Sequence, residues 1–269
     1  MRICFSTLAC PTWTLSQVVE IAVSSGYDGL ELRFLEGEDS LWKLPGFQGS
    51  ALAAAKRMIT DRGLSVACVG TSCRFHSPDP LERERWAEEG KRMAELAAVL
   101  GAPGIRVFGD KIQTGVDREA TRSRIAEGIR RLAERTRENR VEVWLETHGD
   151  FASSAETMQI VNQAGCWGIG VVWDPANAFT DGKEQPAGVA PALGSALRHV
   201  HLRDLDSRDG EWEPVLTGEG KFPLREIVTE LDKLRYAGFL SFEWEKKWRP
   251  ALAEPEVAIP QFAHWFRQK

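Results

Sequence analysis

The segment VEVWLETHGD, residues 141–150, opens with aliphatic residues that alternate with larger or acidic ones. Alternation with a period of two is typical of a β-strand whose two faces meet different surroundings. One face carries Val143 and Leu145, and the other carries Glu142, Trp144, Glu146 and His148. The large and acidic side chains therefore share one face of this strand, and that face ends in Glu146 and His148.

Seven other short apolar runs surround this segment at similar spacing, and each is followed by helix-like sequence. They are RICFST (2–7), DGLELR (28–33), LSVACVG (64–70), GIRVFG (104–109), GIGVVWD (168–174), RHVHLRD (198–204) and FLSFEWE (239–245). Strands that alternate with helices form βαβ units and a parallel sheet. Eight such units in about 250 residues are the size of a closed barrel. The sequence predicts an α/β fold, a (β/α)8 TIM barrel that forms a single domain over residues 1–269.

Helix-boundary signals lie between these runs. The pair Thr14 and Gln17 predicts a capping box, with Gly26 beyond the helix end. Asp79 before Pro80 predicts another helix start, whose buried stripe would include Trp86 and Leu100. Further predicted starts are Asp117, Ser153 with Glu156, and Pro223, with Leu234 in the apolar stripe of the last of these helices.

Composition restricts the class of protein. The chain has 269 residues, 43% hydrophobic and 27% charged, and a formal net charge of −5. A basic face supports non-specific nucleic-acid binding, so an acidic protein argues against a nucleic-acid partner. Five irregularly spaced cysteines without a CxxC motif predict a reducing, cytoplasmic location. The sequence shows no signal peptide or membrane span, so no membrane partner is predicted, and a homo-oligomer is left open.

Four consecutive predicted strands, the fifth to the eighth, each end in a metal-capable side chain on the inward face. These are Glu146, Asp174, His201 and Glu243, separated by 28, 27 and 42 residues. TIM barrels keep their active sites at the carboxyl ends of the strands. Three carboxylates and one imidazole suit a divalent cation, with Mn²⁺ favoured and Mg²⁺, Co²⁺ or Zn²⁺ as alternatives. Considered alone, each of the four residues could have a purely structural role. Asp174, for example, could simply be a turn residue before Pro175.

In its motifs the chain resembles the sugar phosphate isomerase/epimerase superfamily, the xylose isomerase-like barrels. The resemblance rests on GYDGLELR (26–33), LETHGD (145–150), WDPAN (173–177), HVHLRD (199–204), LTGEGKFP (216–223) and GFLSFEWEKKW (238–248). It implies that Glu146, Asp174, His201 and Glu243 bind a divalent metal. It also implies that Glu146 and Glu243 act as paired acid/base catalysts. Family members often have lysine where this chain has Arg203, so the role of that residue is open.

Other candidates for substrate binding have structural alternatives. His148 would touch substrate or cap a turn, and Arg203 would bind an anionic or polyhydroxylated ligand. Glu31 would bind sugar hydroxyls or pair with Arg33, and Arg106 would be a substrate clamp or an ion-pair partner inside the barrel. The remaining candidates are His76, in a loop after the third strand, and Trp13 and Trp248, whose rings would wall a sugar or simply pack.

The leading hypothesis is a metal-dependent isomerase or epimerase that acts on a free or phosphorylated monosaccharide through an enediolate. The first alternative is a sugar or inosose dehydratase on the same site. A non-catalytic sugar-binding barrel is the second. An abasic-site endonuclease is disfavoured because that chemistry needs a histidine-rich multi-metal cluster, and the chain has five histidines and a negative charge. Full-length xylose isomerase is disfavoured because its catalytic lysine motif is not seen.

Overall fold

The computed structural model describes residues 1–268. The strands of the main sheet are β1 (Arg2–Ser6), β2 (Gly29–Leu32), β3 (Ser65–Arg74), β4 (Gly104–Phe108), β5 (Glu142–Glu146), β6 (Ile169–Trp173), β7 (Leu197–Leu202) and β10 (Phe239–Phe242). A hairpin of β8 (Asp204–Arg208) and β9 (Glu211–Val215) follows β7. The α-helices are α1 (Leu15–Ser25), α2 (Gly49–Thr60), α3 (Pro80–Leu100), α4 (Arg118–Thr136), α5 (Ser154–Ala164), α6 (Pro175–Thr180), α7 (Val189–Leu193), α8 (Leu224–Lys233) and α9 (Pro255–Arg267).

Within residues 1–268, eight strands close into one barrel in the order β1-β10-β7-β6-β5-β4-β3-β2. The pairings along it are parallel, for example β1 with β10 and β5 with β6. The eight runs identified in the sequence are these eight strands, and the predicted (β/α)8 barrel is confirmed. Backbone contacts group the chain into two compact units, one of Met1–Ala67 with the chain from His201 onward, and the other of Cys68–Val200. The domain boundaries 1–269 stay a prediction.

The first unit holds an aromatic core between its strands and the helices α1 and α9. Tyr27 packs edge-on against Phe5, and its hydroxyl donates to the Ile259 carbonyl at 2.7 Å. Phe262 of α9 stacks on Phe242 of β10, with ring centroids 4.7 Å apart. The predicted capping box at Thr14 and Gln17 starts α1, and Gly26 ends it with a left-handed φ of 71°. Aromatic packing of this kind anchors α9 on β1 and β10, and Glu243 directly follows β10.

In the second unit, Trp144 of β5 fills the space between the strands, as its inward face predicts. It is 3% exposed and packs with Cys68 and Val172. Gly104 on the neighbouring β4 is needed beside it, because a Cβ there would lie 2.3 Å from Trp144 Cε2. The small residue on one strand thus accommodates the large residue on the next, which is how inward side chains fill a barrel.

The helix starts follow the sequence signals, whereas two residues predicted in buried stripes, Trp86 and Leu234, are not buried. Asp79, Asp117 and Ser153 each accept a backbone N–H in the first turn of α3, α4 and α5. Pro223 is the residue from which α8 begins, but Leu234 is 45% exposed because it lies beyond the end of that helix. Trp86 is half-buried rather than part of the buried stripe of α3.

The hairpin of β8 and β9 was not predicted. The run RHVHLRD ends as a barrel strand at Leu202, and Asp204 begins the hairpin instead. The Asp204 carboxylate accepts hydrogen bonds from the backbone N–H groups of Leu205, Gly218 and Gly220 at 2.7–3.0 Å. It closes the loop that contains the hairpin onto the end of β7. Among the described helices, none has both the length and the apolar composition that crossing a membrane requires.

Candidate metal centre and active site

In the second unit, Glu146 ends β5 with its carboxylate held from two sides. Its side chain is 2% exposed. Arg106 Nε lies 3.1 Å from Oε2, and Asn177 Nδ2 donates to Oε1 at 3.3 Å. The pairing of Arg106 with Trp144 in the register of β4 and β5 puts the arginine beside the glutamate. One oxygen of this carboxylate therefore accepts a hydrogen bond, and the other faces a guanidinium in an ion pair.

Asp174 lies directly after β6 and is the N-cap residue of α6. Its Oδ1 accepts from the Asn177 N–H at 2.8 Å, and Pro175 is the first helical residue. Thr147 binds the Asp174 backbone twice, because its hydroxyl accepts from the Asp174 N–H at 2.8 Å and donates to the carbonyl at 3.3 Å. The WDPAN segment thus holds a buried aspartate at the carboxyl end of a strand by ordinary helix capping.

In the first unit, the His201 imidazole lies between two glutamates. Its Nε2 is 3.1 Å from Glu31 Oε2, and its Nδ1 is 3.2 Å from Glu243 Oε1. Arg203 Nη1 donates to the second oxygen of Glu243 at 3.0 Å. A carboxylate on one ring nitrogen of a histidine fixes the tautomer and the ring orientation, which leaves the other nitrogen aimed at its target.

The Glu243 carboxyl is charged at any ordinary pH. Burial by itself raises the pKa of a carboxyl group, but here the facing His201 ring and the Arg203 guanidinium outweigh burial. They hold the pKa of Glu243 well below its usual range. Glu243 is therefore in the form that can bind a cation or accept a proton.

The four predicted metal ligands are brought together. Glu146, Asp174, His201 and Glu243 are all buried, and each offers one ligand atom within 4.8 Å of the others. Glu31, His199 and His201 form a second group that meets the same distance limit and shares His201. Three carboxylates at this separation repel one another, and a divalent cation removes that repulsion. Oxygen and imidazole nitrogen are donors that Mn²⁺ and Zn²⁺ accept, so this buried cluster could bind a divalent metal.

The candidates for substrate contact have diverse surroundings. His148 follows Glu146 on the same face and packs on the Phe108 ring at 4.6 Å, and among residues 1–268 its Nδ1 has no hydrogen-bond partner. Arg106 is 2% exposed, which favours the ion-pair alternative over a clamp. Glu31 is fully buried against His201.

The outer candidates lie farther along the loops. His76 is 9% exposed, and burial lowers the pKa of its ring. Trp248 is 59% exposed and meets the edge of Phe34 at 5.7 Å, whereas Trp13 is half-buried. Their contacts with a sugar stay predictions.

Two residues with a role at this site were missed in the sequence. Asn177 connects Glu146 to Asp174, and Thr71 holds the guanidinium of Arg106 through its carbonyl at 3.0 Å. Asn177 had a signal, because it is three residues after Asp174, where the N-cap carboxylate binds the backbone. Thr71 had none, because its contact with Arg106 joins residues 35 positions apart.

The model of one family, the xylose isomerase-like TIM barrel, matches residues 19–269. The chain belongs to this family. The match covers every barrel strand after the first, and so includes each of the four clustered side chains.

Individual relatives are more distant. A candidate L-ribulose-5-phosphate 3-epimerase of Escherichia coli strain K12, SgbU, is 26% identical over 259 residues, which cover 93% of this chain and 89% of the relative. The structure of an L-ribulose 3-epimerase superposes with a TM-score of 0.81 at 17% identity, covering 99% of this chain and 93% of the other. The IolI protein with a bound zinc atom superposes with a TM-score of 0.80 at 17% identity, covering 98% and 96%. At these identities the two structures show a common fold.

Proposed function

We propose that this protein is a divalent-metal-dependent sugar epimerase that acts on a ketose or ketose phosphate, with aldose–ketose isomerisation as the alternative outcome. The observation that carries the proposal is the buried cluster of three carboxylates and one imidazole at the ends of the barrel strands. The 3-epimerase name of the E. coli relative supports reaction at the carbon next to the ketose carbonyl. Zinc in the IolI structure supports use of a metal.

Glu146, Asp174, His201 and Glu243 would hold the cation. A bound divalent cation would supply Lewis acidity toward a carbonyl and the hydroxyl on the next carbon. This lowers the pKa of the C–H group that carries the hydroxyl. The protein supplies the groups that move that proton. Glu146 is held by Arg106 and Asn177, and Glu243 by Arg203 and His201, so both carboxylates are fixed before substrate arrives.

Epimerisation needs one group on each face of the reacting carbon. Glu146 and Glu243 come from strands three apart in the barrel order, which suits a substrate that offers one face to each. One carboxylate takes the proton, and the other returns a proton to the opposite face. Return to the neighbouring carbon would give isomerisation instead. Each glutamate lies next to an arginine, and for Glu243 the neighbouring His201 and Arg203 lower the pKa, which favours the ionised form that a base requires.

The test is a panel of ketoses, ketose phosphates and inososes incubated in D₂O with Mn²⁺. We expect deuterium at the carbon next to the carbonyl, an epimeric product, and loss of both with a chelator. A product that has lost water would replace the proposal with the dehydratase alternative. Binding of sugar without any deuterium exchange would show a non-catalytic barrel.

The glutamates are tested by Glu146→Gln and Glu243→Gln at saturating Mn²⁺. Turnover should fall by about 10²–10⁴-fold in each, as is typical for a lost acid/base group. With one substrate, one variant should block deuterium washout, and the other should allow washout but slow product formation. Substantial turnover in both variants would mean that the carboxylates are ligands only. The base would then be sought at His148 or at Glu245, whose carboxylate lies 3.9 Å from Arg203 Nη2.

A further inference from the structure

Arg106 is one of the most completely enclosed charged side chains of the second unit. Its guanidinium is 2% exposed, and three groups surround it. Nε faces Glu146 Oε2 at 3.1 Å, Nη1 donates to the Thr71 carbonyl at 3.0 Å, and the flat face lies 4.0 Å from the centre of the Phe108 ring. A group so enclosed has almost no surface left for a sugar.

The support on the Thr71 side comes from an irregularity in β3. The register between β3 and β4 shifts between Gly70 and Arg74, which marks a bulge. Within it, the Thr71 hydroxyl donates to the Arg106 carbonyl at 2.8 Å and accepts from the Cys73 N–H at 3.1 Å. Thr71 therefore binds both the backbone and the side chain of Arg106. Bulges near active sites commonly re-aim a side chain in this way.

We infer that Arg106 is a positioning residue for Glu146: anchored by Thr71 at the β3 bulge, it holds one carboxylate oxygen while Asn177 holds the other. The inference rests on the proposed function of Glu146 as an acid/base group. A planar guanidinium held at three points fixes the direction of the carboxylate better than a flexible ammonium would. A displacement of about 1 Å at a reacting group costs about 10²-fold in rate.

The inference predicts a particular kinetic pattern for Arg106→Met and Arg106→Lys. With saturating Mn²⁺ and the best substrate of the panel, R106M should lower kcat by about 10²-fold with little change in KM, because the residue touches Glu146 and not the sugar. R106K keeps the charge and should recover part of the loss. It also keeps the test open if R106M does not fold.

The matched control is Arg198→Met. Arg198 of β7 pairs with Glu142 of β5 at 2.7 Å, in the same unit, and Glu142 begins the strand that Glu146 ends. R198M should keep kcat within about twofold, as expected for an ion pair remote from the reaction. A rise in KM at unchanged kcat in R106M would overturn the inference, because it would place Arg106 on the substrate. So would an equal loss of kcat in R198M, which would show a general loss of stability.

Two further measurements do not depend on turnover. Titration with Mn²⁺ alone should show that R106M still binds the ion, weakened by at most the 10–100-fold typical of a lost partner of a ligand. A crystal structure of R106M should show the Glu146 carboxylate rotated or displaced. An unmoved carboxylate would refute the positioning role even if no sugar were ever turned over. If the wild-type protein turns over no sugar of the panel but the R106M carboxylate is displaced, the proposed function is refuted and the positioning role is not.

Discussion

Removing either partner of the Arg106–Glu146 ion pair should destabilise the metal-free protein strongly. The two atoms are 3.1 Å apart and both side chains are 2% exposed. At an effective dielectric constant of about 20, two unit charges at that distance attract by about 5 kcal/mol. Loss of one partner leaves the other charge buried, which costs about 3–5 kcal/mol. For a chain of this size that is a decrease in Tm of about 6–20 °C.

Glu146→Gln should lie at the lower end of this range, because the guanidinium still faces the dipole of the amide and still donates to the Thr71 carbonyl. Arg106→Met should lie at the upper end, because it leaves a carboxylate next to the other acidic residues of the cluster. The double variant buries neither charge, so it should cost less than the sum of the single variants by about 0.5–3 kcal/mol.

The assay is urea unfolding at pH 7 with a chelator present, so that bound metal does not contribute. The control is the same set of two single variants and one double variant at Arg198 and Glu142, whose side chains are 34% and 22% exposed. This more exposed pair should give a coupling energy of at most about 1 kcal/mol. If the changes in the free energy of unfolding of the two single variants sum to that of the double variant within about 0.5 kcal/mol, the two groups do not interact in the folded protein. Our account of this pair would then be wrong.

Four other outcomes are expected. Elemental analysis should find metal lost in His201→Ala and retained in His199→Ala; loss in both variants would favour the group of Glu31, His199 and His201, and retention in His201→Ala would contradict both groups. Gly104→Ala should lower the free energy of unfolding by about 1–3 kcal/mol through the clash with Trp144, measured by urea denaturation, and an unchanged midpoint would contradict the packing described. The pKa of His76 is lowered by burial, so the unfolded chain binds its proton first; stability should fall as the pH drops below about 6.5, and His76→Gln should flatten that slope in thermal melts from pH 7 to 5. An abasic-site DNA duplex should remain uncut at catalytic enzyme concentrations, whereas chelator-sensitive cleavage would restore the endonuclease alternative.

Much of the fold could be predicted because its signals are local. The alternation in VEVWLETH and the capping residues Asp79 and Asp117 act within a few residues of themselves, so the strands and helix starts could be located from the sequence. The hairpin after β7 was missed because residues 204–215 contain no continuous apolar run, and because Asp204 closes their loop through glycine N–H groups 14 and 16 residues away.

The candidate site divides in the same way. Which residues end the inward faces of the strands follows from a period of two, and therefore the four clustered side chains could be predicted from the sequence alone. What each side chain touches there was decided only by the tertiary structure. Glu31 contacts His201 across 170 residues of sequence, and Arg106 holds Glu146 with support from Thr71. Strand alternation determines the face on which a residue lies. The partner of a buried charge, however, depends on which strands become neighbours when the barrel closes. Pairing is also required there because the barrel interior excludes water, which makes an unpaired buried charge costly.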